Sequence, residues 1–506
     1  MAVIGDLIKK ALDITGKIIS EPHANAAQKD VLRNMLENAR FTAFGKKYQF
    51  SKILADEDVI RSFQEKVPIH DYDKIYNEWW HYLLEGHQNV TWPGGQQYFA
   101  LSSGTTSASK SIPVTEDMLS CIRKAGISEI TNIGAFDLPG DFFTRQILML
   151  GSSTNLIGQD DFLLGEISGI SASNLPGWFG SFYKPGLEIA SITDWDEKVK
   201  RIVEEAPNWD IGCISGIPSW VELMLKEIVS YHKLTNIHEI WPGLAVYTTG
   251  GVAFEPYRKS LERLFAHPLV YIDTYLASEG FIAIQKRPDT MAMALFPDNG
   301  IFYEFVPFSP DYVDDEGLIK PGAPVCSLAD ASENVEYVLL VTTVSGAWRY
   351  MIGDTVTITD KARAEIRITG RTKQFLNVTG SQLSVNQMND GLRVIEQEFD
   401  VIIKEFIVAA VHRGDDYVHK WFLSCDKRPD AVQVAEALDK TLQENNKNYK
   451  VARSRALKGV EVQLIPEEIF YKWSEETKKK GGQVKIPRVM KEEAFLEFES
   501  FVAGQP

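Results

Sequence analysis

Between residues 24 and 82 apolar positions recur three and four apart, with Val31, Leu32, Met35 and Leu36 on one face, a spacing that predicts a mostly helical region. After Phe99 the pattern changes to short apolar runs alternating with amphipathic segments. QILMLGSS reads as a buried strand, and DIGCISGIPSW before VELMLKEIVSYH and LAVYTTGG before EPYRKSLERLF read as strands leading into helices, which predicts α/β organisation. Between Met291 and Thr359, GIFYEFVP, VEYVLLVTTV and WRYMIGDTVTIT are rich in β-branched and aromatic residues and predict a β-rich subdomain. Beyond Gly370, FDVIIKEFIVAAV, HKWFLSCD, AVQVAEALDKTLQENN and VEVQLIP predict a compact α+β unit. A chain of 506 residues exceeds the ~250–300 residues at which single cores stop growing. The expected architecture is a large α/β domain over residues 1–370 and a small, mobile α+β domain over residues 371–506.

The first twenty residues carry apolar positions at helical spacing but are broken by Asp6, Lys9, Lys10 and Asp13, which predicts a packed amphipathic helix and not a signal peptide. No window approaches the ~20 apolar residues a membrane span needs. Fifty-three basic against 69 acidic residues leave a formal charge of −16, which opposes broad attraction to nucleic-acid phosphates. The four cysteines lie far apart, in neither a disulfide framework nor a CxxC pair, as expected of a cytoplasmic protein. No protein partner is indicated.

Five short stretches have chemical potential. Ser102-Ser103-Gly104-Thr105-Thr106-Ser107-Ala108-Ser109-Lys110 follows a strand-like run and ends in a cation, so its N–H groups, hydroxyls and Lys110 suit a phosphate, although such a run is as readily a plain solvated loop. It is not a Walker loop, which needs glycine directly before the lysine. Thr249-Gly250-Gly251-Val252 is a turn that lets backbone approach a flat ligand, or a simple tight turn. Thr274-Tyr275-Leu276-Ala277-Ser278-Glu279-Gly280 places an acid at a strand end, where it suits a hard cation such as Mg²⁺. Asp354 after Gly353 suits ribose hydroxyls, and Lys485 sits in a glycine-hinged basic loop, GGQVKIPR. No GxSxG elbow or histidine triad motif supports a covalent serine or cysteine mechanism.

Together and in this order, the five stretches resemble the adenylate-forming superfamily of acyl- and aryl-CoA synthetases, nonribosomal adenylation domains and luciferases. More closely, the chain resembles the auxin-responsive Gretchen Hagen family of acyl-acid amido synthetases, in particular its bacterial members. The blocks AQKDVLRNMLENARFTAFGKKYQF, FQEKVPIHDYD, ALSSGTTSASK, GIPSW, TTGGVAFEPY, TYLASEGF, WRYMIGD, GRTKQFLNVTG and GGQVKIPR carry that resemblance along the full length.

The resemblance implies a phosphate loop at Ser103, Thr105, Thr106 and Lys110 and an adenine turn at Gly250, Gly251 and Val252. It further implies an adenine-stacking Tyr275, an α-phosphate contact at Ser278, a Mg²⁺ ligand at Glu279 and a ribose-binding Asp354. Arg371 matches the arginine beside the interdomain hinge and Lys485 the adenylation lysine. Met351 stands where relatives commonly have arginine, Ser107 and Ala108 replace glycine-richer positions, and GSQLS replaces the usual GEKLS.

The implied activity is ATP- and Mg²⁺-dependent conversion of a carboxylic acid to an acyl-adenylate, followed by transfer to an amino acid amine. A thiol acceptor such as coenzyme A, or a non-catalytic nucleotide- or acyl-binding protein, are the alternatives. The acid pocket is expected near GIPSW and Phe179–Tyr183, whose aromatics equally suit core packing.

Overall fold

The computed structural model describes residues 24–102, 110–159, 161–252, 254–314, 316–372, 375–376, 383–413, 416–454, 457–477 and 486–505. The helix expected over the first twenty residues lies outside this set. So do Ser103, Thr105, Thr106 and Lys485.

Helix α1 (Ala24–Ala39) buries Leu32, Met35 and Leu36, as its spacing requires. Its Gln28 is also buried and is satisfied against the sheet: its amide nitrogen donates to the carbonyls of Pro297 and Ile301, and its amide oxygen accepts from the Tyr303 N–H, each at 2.8 Å. Helix α2 (Val59–Lys66), capped by Asp58, is tied to the same sheet at its other end. There Arg349 pairs with buried Glu304 at 3.1 Å and donates to the carbonyls of Gln64 and Val67 at 2.7 and 2.6 Å. The helical N-terminal region is thereby fixed to the strands that carry the site.

Strands β1 (Tyr98–Ser102) and β2 (Lys110–Val114) pair antiparallel on either side of residues 103–109. Helix α3 (Glu116–Asn132) follows, with Thr115 accepting from the Met118 N–H and two acids in its first turn, where the helix dipole favours them. Among the described residues twelve strands form the principal sheet. Its parallel block comprises β3 (Gln146–Leu150), β4 (Ile211–Gly216), β5 (Val246–Gly250) and β6 (Val270–Ala277). β7 (Gly280–Ile284) turns back antiparallel on β6, and Met293–Leu295 joins it to the long hairpin of β8 (Tyr350–Asp360) and β9 (Glu365–Arg371). The β-rich stretch read from Met291 to Thr359 thus continues the parallel block edge to edge.

Helix α3 covers one face of the parallel block, packing Met118, Ile122 and Ala125 over Cys213, Val246 and Ile272. Helices α4 (Trp195–Glu205), α5 (Pro218–Tyr231) and α6 (Glu255–Glu262) cover the other, over Leu148, Ile214 and Tyr247. Among the described residues no helix is long and apolar enough to cross a membrane.

A separate core begins at Leu383 and includes Ile395, Trp421 and Leu438. Helix α7 (Val385–Phe399) opens with a Ser384/Gln387 capping box. Strands β10 (Phe406–Arg413) and β11 (Asp416–Ser424) pair antiparallel, and β12 (Leu457–Ile465) joins β11 in parallel after the crossover helix α8 (Ala431–Asn445). Helices α9 (Glu467–Thr477) and α10 (Glu492–Ala503) complete the α+β unit.

Candidate active site

In open α/β sheets the crevice outside the carboxyl ends of the parallel strands is where ligands bind. Gly250 ends β5 opposite Thr274 of β6, and a Cβ on it would lie 2.7 Å from the Thr274 carbonyl oxygen, so only glycine permits this approach. Gly251 follows with φ +82°, and the chain bends at Gly251 and Val252 just past the strand end. β6 runs on through Tyr275 to Ser278 and Glu279, which form the turn into β7.

The ribose and hinge candidates meet directly. Asp354 of β8 stands opposite Arg371 of β9 in the register, and the Arg371 Nε lies 2.7 Å from Asp354 Oδ1. The Tyr275 hydroxyl donates to Asp354 Oδ2, joining the parallel block to the antiparallel hairpin. Asp354 holds the Arg371 guanidinium above its ordinary pKa, whereas burial first and Asp354 second push the Tyr275 phenol well up. Each carboxylate oxygen of Asp354 keeps a second lone-pair site, so each can still accept from a further hydroxyl. The Tyr275 ring is 6% exposed, and its anchoring of Asp354 was not legible in the sequence.

Glu279 is 8% exposed, and burial pushes its carboxyl up to about 7; Asp354 adds to the rise, while Arg371 and Lys110 oppose it. Lys110 opens β2 with its ammonium 5.0 Å from the centroid of the Tyr72 ring. The Tyr72 hydroxyl accepts from the Ser111 N–H at 2.9 Å, which fixes the start of β2. Lys110, Tyr275, Glu279, Asp354 and Arg371 are therefore one electrostatically coupled group. Among the described residues no three His, Cys, Asp or Glu side chains gather to hold a metal unaided.

Met351 is 6% exposed and packs with Val306, Val338 and Leu340, apart from the apolar cluster that holds Tyr275, Tyr350 and Ile352. Its lack of charge therefore leaves the Asp354–Arg371 contact intact. Of the aromatics named for the acid pocket, Trp220 and Tyr183 are buried and Phe179 packs against Tyr183, in keeping with core packing.

Glu129 was not singled out from the sequence. It reaches from α3 to the Thr248 side chain, two residues before Gly250, and burial pushes its carboxyl up to about 7. No periodic signal marks such a residue, because its importance depends on how α3 lies across the sheet.

The raised carboxyl of Glu279 has a stability consequence. An unfolded glutamate ionises around its ordinary value of 4.5, whereas the folded one keeps its proton to about 7. The native state binds more protons between these values, so stability falls as pH rises from 4.5 to 7 and levels off above. Glu279→Gln removes this penalty and should gain up to about 3 kcal/mol on wild type at pH 8 relative to pH 4. Denaturant unfolding of the two proteins at both pH values measures it; an equal difference at both would refute the assignment.

Comparison with known proteins identifies the family. The family models for the GH3 family N-terminal, central and C-terminal domains match residues 20–201, 294–371 and 387–494. Jasmonoyl–L-amino acid synthetase JAR6 of Nicotiana attenuata is 24% identical over 278 residues, 51% of this chain and 47% of that protein. Indole-3-acetic acid-amido synthetase GH3.4 of Arabidopsis thaliana is 31% identical over 130 residues, 24% of this chain and 21% of that protein. The chain thus matches about half the length of the first curated relative and about a fifth of the second. The solved GH3.15 acyl acid amido synthetase superposes with a TM-score of 0.77 at 14% identity, covering 98% of this chain and 96% of that one. A 2-hydroxyisobutyryl-CoA ligase in its postadenylation state shares the fold at a TM-score of 0.59 and 12% identity, covering 96% and 94% of the two chains. With the three domain models in their order covering most of its length, and the adenylate-forming fold around this site, the chain belongs to the GH3 family.

Proposed function

We propose that this protein is an ATP-dependent ligase that activates a carboxylic acid as an acyl-adenylate and passes the acyl group to an amino acid amine. The observation that carries this reading is the coupled group of Lys110, Tyr275, Glu279, Asp354 and Arg371 beside the turn at Gly250 and Val252. In the first half-reaction a carboxylate oxygen attacks the α-phosphorus, the bond to the β-phosphate oxygen breaks, and pyrophosphate leaves. Lys110 offsets charge on the departing phosphates, Ser278 contacts the α-phosphate, and Asp354 holds the ribose. In the second, the amine nitrogen attacks the acyl carbon, loses a proton, and AMP departs. The protein contributes mainly positioning and electrostatics.

One carboxylate beside bound phosphates is the donor set Mg²⁺ ordinarily takes, and the burial that raises Glu279 is relieved by a cation, so Glu279 fits as its ligand. The metal would neutralise phosphate charge. That one relative is an L-amino acid synthetase and the other an amido synthetase supports an amine over a thiol acceptor. We place the division between the two domains at residues 370 and 371, and the free state of all four cysteines supports a cytoplasmic location.

ATP–pyrophosphate exchange across a panel of carboxylic acids tests adenylation, and a second panel of amino acids and thiols tests the acceptor. Nucleotide binding with no pyrophosphate exchange for any acid would mark a binding protein instead, and thioester as the sole product would mark an acid–thiol ligase. Asp354→Ala should weaken ATP binding by roughly 1.5–3 kcal/mol, the loss of bonds to a charged acceptor. Calorimetry showing unchanged nucleotide affinity would contradict the ribose role.

A further inference from the structure

Two consecutive residues, Lys404 and Glu405, carry a buried chain of charges across the boundary between the two cores. The Lys404 ammonium lies 2.5 Å from Glu222 Oε1 on α5 and 3.2 Å from Glu467 Oε2 on α9. Glu222 also binds Lys226 at 2.7 Å and accepts from the Ser260 hydroxyl at 2.9 Å. Glu405 is 2% exposed and accepts from the Tyr257 hydroxyl of α6, from the Tyr471 hydroxyl at 3.3 Å and from the Arg488 guanidinium. Arg488 also donates to the Lys404 carbonyl at 3.3 Å and lies 4.9 Å from the Phe406 ring centroid. Glu222, Lys226, Tyr257 and Ser260 belong to the large unit; Lys404, Glu405, Glu467, Tyr471 and Arg488 belong to the small one.

Arg488 comes three residues after Lys485. Its carbonyl accepts from the Val408 N–H at 2.9 Å, and the Met490 N–H donates to the Val408 carbonyl at 3.0 Å, so the segment is laid along β10. Beside the guanidinium is a cavity of about 20 Å³, room for a single water. Val252 of the nucleotide turn, Tyr257, Glu405, Ile486 and Arg488 share its wall. The stretch directly after Lys485 therefore meets the turn directly after Gly251, and the buried charges stand at that junction.

We propose that Arg488 is a positioning residue for the first half-reaction: held by Glu405 and, across the boundary, by Tyr257, it fixes residues 486–490, which follow Lys485 in the chain, against the turn at Val252. This rests on the adenylation reading above. The Tyr257 hydroxyl is the point at which the hold can be loosened with least disturbance. Removing Arg488 or Glu405 outright would leave a buried charge unpaired and endanger folding. Tyr257→Phe keeps the ring packing and leaves the Glu405–Arg488 pair whole.

The test uses the full chain with Tyr257→Phe, and Arg488→Lys as a second variant that keeps charge but loses the guanidinium fork. In Tyr257→Phe, amide hydrogen exchange over residues 486–490 should rise several-fold without substrate, while peptides from β4 and β5 stay as in wild type. In both variants kcat for ATP–pyrophosphate exchange should fall about tenfold, the scale of one hydrogen bond to a charged group. KM for ATP and acid should stay within twofold, and transfer from a chemically prepared acyl-adenylate should be unchanged. Unaltered amide exchange over 486–490, or a parallel fall of both half-reactions, would overturn the role of Arg488 while leaving the function standing. A wild-type protein that exchanges pyrophosphate with no acid would overturn the function and this role with it.

Discussion

Lys485→Ala should abolish ATP–pyrophosphate exchange while leaving acyl transfer from a chemically prepared acyl-adenylate close to wild type. Lys110, Tyr275, Glu279 and Asp354 all precede the proposed boundary, whereas Lys485 follows it, so on the proposed function adenylation is expected to need the small domain closed against the large one. A cation beside the attacking carboxylate is required only while the adenylate forms, and the same position obstructs an incoming amine. On the proposed function, a swing of the small domain would exchange one face for the other between half-reactions. Ile486 and Val252 on one cavity wall are the arrangement expected before that swing. Equal loss of both half-reactions in a folded variant would show that the lysine does not serve one step alone. An exposed basic loop without a catalytic part predicts no change in either.

The second large effect is expected at Lys110 and Glu279. Alanine at either position should lower adenylation by about two orders of magnitude or more, the scale of removing one preorganised charge contact from a transition state. The two side chains influence each other: Lys110 is among the charges that hold Glu279 below the value burial alone would give. Their replacements should therefore be non-additive, the double variant losing less than the product of the single losses. Near-normal exchange in either purified, folded variant would remove it from the site.

What could be read in advance divides along a physical line. β5 followed by Gly250–Gly251, β6 leading into the Ser278–Glu279 turn, and β8 carrying Gly353–Asp354 are local devices in which a strand, a glycine and a polar residue fall within a few positions. Local spacing carries that information. The α/β alternation was legible for the same reason, because each amphipathic helix follows the strand it packs on.

The contacts that join these devices were not legible. Tyr257 and Glu405 are 148 positions apart, and Glu405 and Arg488 are 83 apart; nothing in the neighbourhood of any of them marks it as a partner of the others. Tyr275 was read as a platform for adenine, and its hydroxyl proves to hold the carboxylate meant for ribose. That contact depends on how the hairpin of β8 and β9 closes on the parallel block. Arg349 illustrates the same limit inside a motif: read as part of WRYMIGD without a task, it is the buried counter-ion of Glu304 that fastens α2.

Strand pleating makes WRYMIGD two interleaved messages. Tyr350 and Ile352 are spelled into one apolar cluster, with Tyr275, and Met351 into another, with Val306 and Leu340. Errors in the two messages are graded differently, by charge and reach on the first side and by volume on the second. A mutational library that randomises the stretch as one word would confound them. Varying alternate letters in separate pools would let packing drift at Met351 while Tyr350, Ile352 and Asp354 stay constant, and would expose which of the two vocabularies limits the protein's evolution.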